Sequence, residues 1–267
     1  MRVGTFNLLH GLSPADGRAD PAVLARAAAG LDADLLGLQE VDRLLDRSGT
    51  VDQAAMVAAA LGATAWRFAP ALQGAPGAPG CAPVRPGQDP AGAAGCYGIA
   101  LVSRFPVRSW LVRRFAAAPV TLPLRHPAGR GVVATADEPR LALAALVDTP
   151  DGPLTVVTAH LSFVPGWNVA QLRALVRWAA RLPPPRLLLG DLNLPGPLPG
   201  WLTGWRPLAR APTYPAPRPR VQWDHVLARG LDPAVVRGVH TPALPLSDHR
   251  PLLVDLDGRR PAGAGPG

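Results

Sequence analysis

The 267-residue sequence has no lysine, only two cysteines, and aromatic residues at just 5% of the chain. Each scarcity excludes something. Cys81 and Cys96 both sit in a Gly/Ala/Pro-rich stretch, so a bridge between them would close a small surface loop and hold no core together. Two free thiols in a reducing compartment are the expectation. No uninterrupted apolar run of roughly 18 residues is present, so the sequence carries no spanning helix. The opening Met1-Arg2-Val3-Gly4-Thr5-Phe6-Asn7 enters a strand-like segment at once and lacks the basic, apolar and cleavage regions of a secretory leader. A cytoplasmic protein is therefore expected. All 27 basic residues are arginine, and the net charge is +8. A polyanionic partner, such as nucleic acid or an anionic headgroup, accounts for that balance. A coding bias toward Arg, Ala, Pro and Gly accounts for it equally.

Apolar residues make up 48% of the chain, enough for a sizeable core. Residues 2–9 read as a strand. Asp20-Pro21 is an N-cap with its first-turn proline and Gly30 a C-terminal stop, which predicts a helix over 21–29. Residues 34–39 form a short apolar run, a buried strand. Asp52 caps a second helix that Gly62 ends. Strands are expected at 97–103 and 107–114, and a hairpin joins 141–148 to 154–161 around Thr149-Pro150-Asp151-Gly152. A helical stripe runs through 167–182. Strands follow near 186–190, 221–228, 235–240 and 251–256. Residues 70–95 hold almost no large apolar groups and read as a flexible insertion. The tail 258–267 reads as disordered. Residues 1–257 then form one domain, β-rich with both hairpins and strand–helix steps. Two packed sheets flanked by helices fit this better than a purely parallel sheet.

Polar residues recur at the ends of these strands: Asn7, Glu40, His160, Asp191 with Asn193, Asp224 with His225, and Asp248 with His249. Any one of them alone is ordinarily a turn former or a hydrogen-bonded structural group. Strands aligned in sheets bring such ends to one rim. Oxygen ligands, two histidines and an amide gathered there suit metal-assisted hydrolysis of a phosphate ester.

The segments Thr5-Phe6-Asn7, Leu38-Gln39-Glu40-Val41, Thr158-Ala159-His160-Leu161, Gly190-Asp191-Leu192-Asn193, Trp223-Asp224-His225-Val226 and Ser247-Asp248-His249-Arg250-Pro251 resemble, in order and spacing, the endonuclease/exonuclease/phosphatase superfamily. Tyr97 to Pro106 resembles its central strand. The resemblance covers residues 2–256 and implies an α/β fold, a four-layer αββα sandwich of two mixed sheets packed face to face.

It also implies roles. Glu40 would bind Mg²⁺ or Mn²⁺, with Asn7 and Asp248 completing or adjusting the metal shell. Asp191 would orient and deprotonate the attacking water, and Asn193 would hold the phosphate or that carboxylate. His249 would stabilise charge on a phosphate oxygen, oriented by Asp224. His160 would be a second phosphate contact or proton carrier. The family's arginine two residues before the Asp224-type position is here Gln222, leaving Arg218 or Arg220 to substitute. His225, whose counterpart is often aromatic in that superfamily, takes a structural role.

Arg104, with Arg125, Arg130 and Arg140, offers a phosphate patch or a scattered surface. Phe163 and Trp167 form either an apolar lip that contacts substrate or a staple for the following helix. Trp201, Trp205 and Tyr214 shape a groove or cover a surface. The substrate is a phosphate ester, nucleic acid included, with peripheral lipid contact open and a monomer expected. A catalytically silent nucleic-acid-binding module on the same fold and a lipid-headgroup phosphodiesterase are the competing readings.

Overall fold

The computed structural model describes residues 1–85, 87–88, 95–125 and 131–258. One sheet has seven strands in the spatial order β16 (Val236–His240), β17 (Leu252–Leu256), β1 (Arg2–Asn7), β4 (Leu35–Arg43), β7 (Cys96–Ser103), β5 (Ala65–Gln73) and β6 (Ala82–Pro83). The second has six: β14 (Arg206–Pro207), β15 (Asp224–Arg229), β13 (Arg186–Asp191), β12 (Gly152–His160), β11 (Arg140–Thr149) and β8 (Val107–Phe115). Two small ribbons stand apart, β2 (Leu12–Ser13) with β3 (Arg18–Ala19), and β9 (Thr121–Arg125) with β10 (Val132–Ala136). The helices are α1 (Pro21–Leu31), α2 (Gln53–Leu61), α3 (Trp167–Ala179) and α4 (Leu198–Thr203). Among the described residues no helix is long and apolar enough to cross a membrane.

Alternation along the strands builds the layers. Leu35 of β4 points between the sheets, where it joins Val3, Leu101, Leu143, Val156 and Leu189. Its neighbours Leu36 and Leu38 point the other way, onto α1 and α2 through Leu24, Leu31 and Val57. In β12, Val156 faces the inter-sheet core and Val157 faces Leu172 and Leu175 of α3. Both faces of each central strand are covered, so the sequence shows continuous apolar runs in place of a polar alternation. The result is the four-layer αββα sandwich.

The α1 cap is Asp20, whose side chain accepts from Ala22 N, and α2 is capped by Asp52 and closed by Gly62 in a left-handed conformation. The hairpin of β11 and β12 closes at Thr149↔Gly152. The two strands on either side of Arg104-Phe105-Pro106 part company, β7 to the first sheet and β8 to the second.

The first residues of the segment 70–95, expected to be a flexible insertion, are ordered strand. Residues 70–73 complete β5, 82–83 form β6, and Val84 is buried. Counting large side chains missed this, because Ala69, Ala71 and Leu72 suffice to pack against the core while β7 satisfies the backbone. The rest of the expected insertion, residues 86 and 89–94, lies outside the described residues, as does the expected tail from 259. The β9–β10 ribbon was not legible as structure in the sequence.

Gly190 carries a prediction. It has φ +151°, and a Cβ there would stand 2.0 Å from Ala159 O on the neighbouring strand. Gly190→Ala is expected to destabilise the protein by about 3 kcal/mol or more, because backbone must move to admit the methyl. Urea unfolding measures this, and an unchanged midpoint would contradict the close approach.

Candidate active site

Strand polarity gathers the polar strand ends. β1 and β4 are parallel with Asn7 opposite Gln39, and β12 and β13 are parallel with His160 opposite Asp191. β15 runs antiparallel to β13 and starts at Asp224, opposite Asp191. β17 runs antiparallel to β1, so the Ser247-Asp248-His249 segment just before it arrives at the same rim.

Glu40 reaches the rim through a bulge. The β4–β7 register shifts between Leu38 and Val41, and Glu40 takes a left-handed φ of +53°. A bulge of this kind re-aims one side chain out of the pleat, and a left-handed conformation in a non-glycine residue is held only where the surroundings enforce it. Asn193 and Ser247 are left-handed as well, at φ +49° and +67°.

Asn7 joins the two sheets. Its Nδ2 donates to Glu40 Oε1 at 2.9 Å and to Asp191 Oδ2 at 3.1 Å, while its Oδ1 accepts from Leu9 N at 3.0 Å. Directly beneath, Thr5 Oγ1 donates to Gln39 Oε1 at 2.9 Å and Gln39 Nε2 donates to Thr158 Oγ1 at 3.0 Å. This buried polar chain fixes one sheet against the other below the site, and all three residues belong to the recurring motifs.

Asp191 lies at the centre. Its Oδ1 accepts from the Asn193 N–H at 2.9 Å. Its Oδ2 stands 3.8 Å from Nε2 of His160 and 3.8 Å from Nε2 of His249. His249 Nδ1 is 2.8 Å from Asp224 Oδ2. Ser247 Oγ donates to Asn7 O and accepts from His249 N, which explains the serine in that motif. Asn193 Nδ2 donates to Leu161 O.

Electrostatics sort these groups. Burial pushes Glu40 up to about 7, and Asp248 adds to the rise while the Asn7 amide opposes it. Burial likewise raises Asp191 to about 6 against the pull of His249, and it raises Asp248. His249 behaves oppositely: burial disfavours its charge, but Asp224, Asp191 and Asp248 outweigh that and hold it at about 10. His160 is pushed well below its ordinary value by burial, then by Arg140 and His249, so it is a neutral imidazole at pH 7. Two imidazoles beside one carboxylate thus carry different charges.

The donor set fits a hard divalent cation. Glu40 and Asp248 are half-buried carboxylates, and Asp224 Oδ1 is a buried oxygen with no hydrogen-bond partner. The carboxylates of Asp191 and Asp224 lie with His249 within 4.8 Å of one another. Within that trio Asp224 spends Oδ2 on His249 Nδ1, and Glu40, one of whose oxygens accepts from Asn7, and Asp248 would supply further oxygen ligands at the rim.

Some expected residues stand elsewhere. Arg104 follows β7 where Ser103 pairs with Leu35, which in turn pairs with Val3, so it lies at the opposite end of the sheet from Asn7. There it binds Asp32, Asp34 and Leu61 O. It belongs to a structural ion-pair cluster and is not at the site. Trp167 spends its indole N–H on Ala116 O at the end of β8, the stapling alternative.

The buried arginine beside the site is Arg140. It lies 3.1 Å from the His160 ring nitrogens, 3.0 Å from Glu138 and 3.4 Å from Asp137. Arg140 stood undistinguished among four arginines in the sequence, and Asp137 and Glu138 were missed. The only signal was an acidic pair just before a strand. Gln222 braces the start of β15, donating to Ala209 O and Asp224 O. His225 bonds Leu194 O, a structural contact. The Tyr214 ring sits 5.0 Å from that of His249.

A rim of carboxylates, imidazoles and amides on two face-to-face mixed sheets defines the αββα class of hydrolytic sandwiches. Residues 4–249 match the model of the Endonuclease/Exonuclease/phosphatase family, and the chain belongs to that family. Its members are hydrolases of phosphoester bonds and generally use divalent metals. Among solved structures, an endonuclease/exonuclease/phosphatase from Beutenbergia cavernae DSM 12333 is 23% identical with TM-score 0.66, covering 100% of this chain and 73% of that one. A mannosyl-6-phosphatase from Bacteroides thetaiotaomicron is 15% identical with TM-score 0.59, covering 96% and 99%. Sphingomyelinase C from Streptomyces griseocarneus is 15% identical with TM-score 0.59, also covering 96% and 99%. At these identities the likeness shows the fold alone. No curated protein matches the sequence.

Proposed function

We propose that residues 1–257 act as one domain that hydrolyses phosphate esters with the help of Mg²⁺ or Mn²⁺, by a single in-line attack of water. The observation that carries this reading is Asp191, a buried carboxylate with a neutral and a protonated imidazole each 3.8 Å from the same oxygen. Asp191 orients the water and takes its proton, held in place by Asn7 and the Asn193 N–H. Protonated His249 donates Nε2–H to a non-bridging phosphate oxygen, and Asp224 fixes its orientation. Neutral His160 makes the second phosphate contact. Asn193 holds the Leu161 backbone and with it the rim, and Asn7 adjoins the metal that Glu40 and Asp248 would hold. When bound, that cation neutralises charge on the phosphoryl and leaving oxygens.

A mannosyl-6-phosphatase and a sphingomyelinase C among the structural neighbours are the reason to test sugar phosphates and lipid phosphodiesters beside nucleic acids. The test is turnover by the purified protein on a panel of DNA, RNA, bis-nitrophenyl phosphate, sugar phosphates and lipid phosphodiesters. Hydrolysis that a chelator abolishes and added Mg²⁺ or Mn²⁺ restores is the expected result. Hydrolysis that persists undiminished in chelator would overturn the metal assignment.

A further inference from the structure

Two strained stretches of backbone adjoin the first two residues of the metal shell. Leu9, His10 and Gly11, just after Asn7, all take left-handed conformations, at φ +45°, +46° and +78°. Glu40 does so at +53°. A left-handed non-glycine residue persists only where its surroundings enforce it. Something must therefore hold each stretch in place.

One side chain reaches both. Gln53 is the first residue of α2 and is 2% exposed. Its Oε1 accepts from Asp42 N at 2.9 Å, two residues past Glu40. Its Nε2 donates to His10 O at 2.7 Å, three residues past Asn7. A single buried amide thus ties the loop after β1 to the bulge of β4. Removing it leaves a buried N–H and a carbonyl without their partner.

The tie is anchored at each end. Leu44 N donates to Val51 O at 2.8 Å and Asp52 caps α2, so the helix start is held against the end of β4. Asp42 is buried and accepts from Arg47 through both carboxylate oxygens, each at 2.8 Å. The Arg47 guanidinium lies 5.7 Å from the centre of the Tyr97 ring. On the loop side, Leu8 N donates to Gln39 O at 2.9 Å and Leu9 N to Asn7 Oδ1 at 3.0 Å. A Cβ on Gly11 would stand 3.1 Å from Gln53 Nε2, so the loop packs directly on the amide. Asn7 and Glu40 are therefore linked twice, once by their own 2.9 Å hydrogen bond and once through Gln53.

We infer that Gln53 is a positioning residue that sets Asn7 against Glu40, arranging for a divalent cation the side chains that would hold it. For the cation this rests on the roles given to Glu40 and Asn7 above; the tie between the two stretches does not. Groups that orient metal ligands are ordinarily worth about 10- to 100-fold in metal affinity.

The experiment compares the full-length wild type with Gln53→Met, which keeps the length of the side chain and loses both bonds. Thr155→Val is the control, since it removes a buried hydroxyl that donates to Pro183 O at 2.7 Å in the second sheet. Amide hydrogen exchange is read first, on metal-free protein. The Leu8, Leu9 and Gly11 N–H groups bond to Gln39 O, Asn7 Oδ1 and Leu8 O, not to Gln53. They are expected to exchange at least about 10-fold faster in Gln53→Met and at the wild-type rate in Thr155→Val. Calorimetric titration with Mn²⁺, well below each melting temperature, is read second. Binding should weaken by about 10-fold or more in Gln53→Met and stay unchanged in Thr155→Val, even where both variants melt lower. Gln53→Glu, which keeps the acceptor for Asp42 N and loses the donor to His10 O, serves both measurements with the same expectations if the methionine variant does not fold. Unchanged exchange at the three amides would overturn the tie. Faster exchange with unchanged Mn²⁺ affinity would overturn the positioning role and leave Gln53 a structural residue. A wild type that binds no Mn²⁺ would overturn the metal reading and the positioning role with it, while the exchange rates would still decide the tie.

Discussion

Asp191→Asn is expected to lower kcat on the order of 10³-fold while the folded protein becomes no less stable. The amide keeps the size of the side chain and, through its one oxygen, the bond from the Asn193 N–H, giving up the bond from Asn7 Nδ2 while Asn7 keeps Glu40. What disappears is the proton acceptor beside both imidazoles. The sign of the stability change follows from the raised pKa. Asp191 is pushed from 3.8 to about 6, first by burial. A carboxyl whose folded pKa exceeds its unfolded value adds stability that is fully present below the unfolded value and lost as pH rises through the folded one. Near pH 7 the ionised Asp191 is therefore a burden on the fold in the metal-free protein. A neutral amide should hold or raise the melting temperature there. Loss of turnover together with an unchanged or higher Tm separates a functional carboxylate from a structural one. Steady-state kinetics at saturating metal and a thermal melt of the chelated protein make the check. Full turnover in the variant would end the assignment of Asp191 as base.

Much of the fold was legible because its signals are local. Asp20-Pro21, Asp52 and Gly62 mark helix ends by backbone chemistry that needs no tertiary context. The Thr149–Gly152 turn marks its hairpin for the same reason. The site was legible as strand ends, and strand polarity brings Asn7, His160, Asp191, Asp224 and the residues before β17 to one rim. Three things were hidden because they depend on what a segment lies against. β5 runs on to Gln73 because β7 supplies its hydrogen bonds, a fact about pairing that composition does not carry. Arg104 follows a central strand as a site arginine might, yet it emerges at the far end of the sheet beside Asp32 and Asp34. Arg140 resembles any surface arginine until β11 sets Leu141 against His160 and buries it.

The motifs also fixed more than chemistry. Thr5, Gln39 and Thr158 stand beside the rim residues and hydrogen-bond to one another through their side chains, forming the strut between sheets. A motif in this chain therefore records two demands at once, a reactive group on the rim and the polar chain that sets the spacing of the rim. Glu40 illustrates the cost of meeting both. Gln39 enters the strut, the next residue must face the site, and the backbone reaches that arrangement through a bulge and a left-handed conformation.

Asp224→Asn should change how activity depends on pH, beyond lowering it. In the wild type, His249 is held at about 10 because Asp224 and two further carboxylates outweigh burial. Its folded pKa lies above the unfolded value of 6.5, so the stability it contributes is complete below 6.5 and is lost only as pH rises through about 10. Between pH 6 and 9 the imidazole stays protonated and able to donate to phosphate. Asp224 supplies the largest favourable influence on that charge and a 2.8 Å hydrogen bond to Nδ1. Without it burial gains ground and the pKa falls into the neutral range. The ratio of variant to wild-type kcat/KM cancels the ionisations the two proteins share, including that of Asp191. It is expected to stand at about 10⁻² near pH 8 and to recover as pH falls toward 6, as His249 regains its proton. His249→Gln carries no titrating ring, so its ratio should be low and flat over the same range. A flat ratio for Asp224→Asn would mean that Asp224 orients His249 without governing its charge, whereas recovery in acid assigns both functions to one carboxylate.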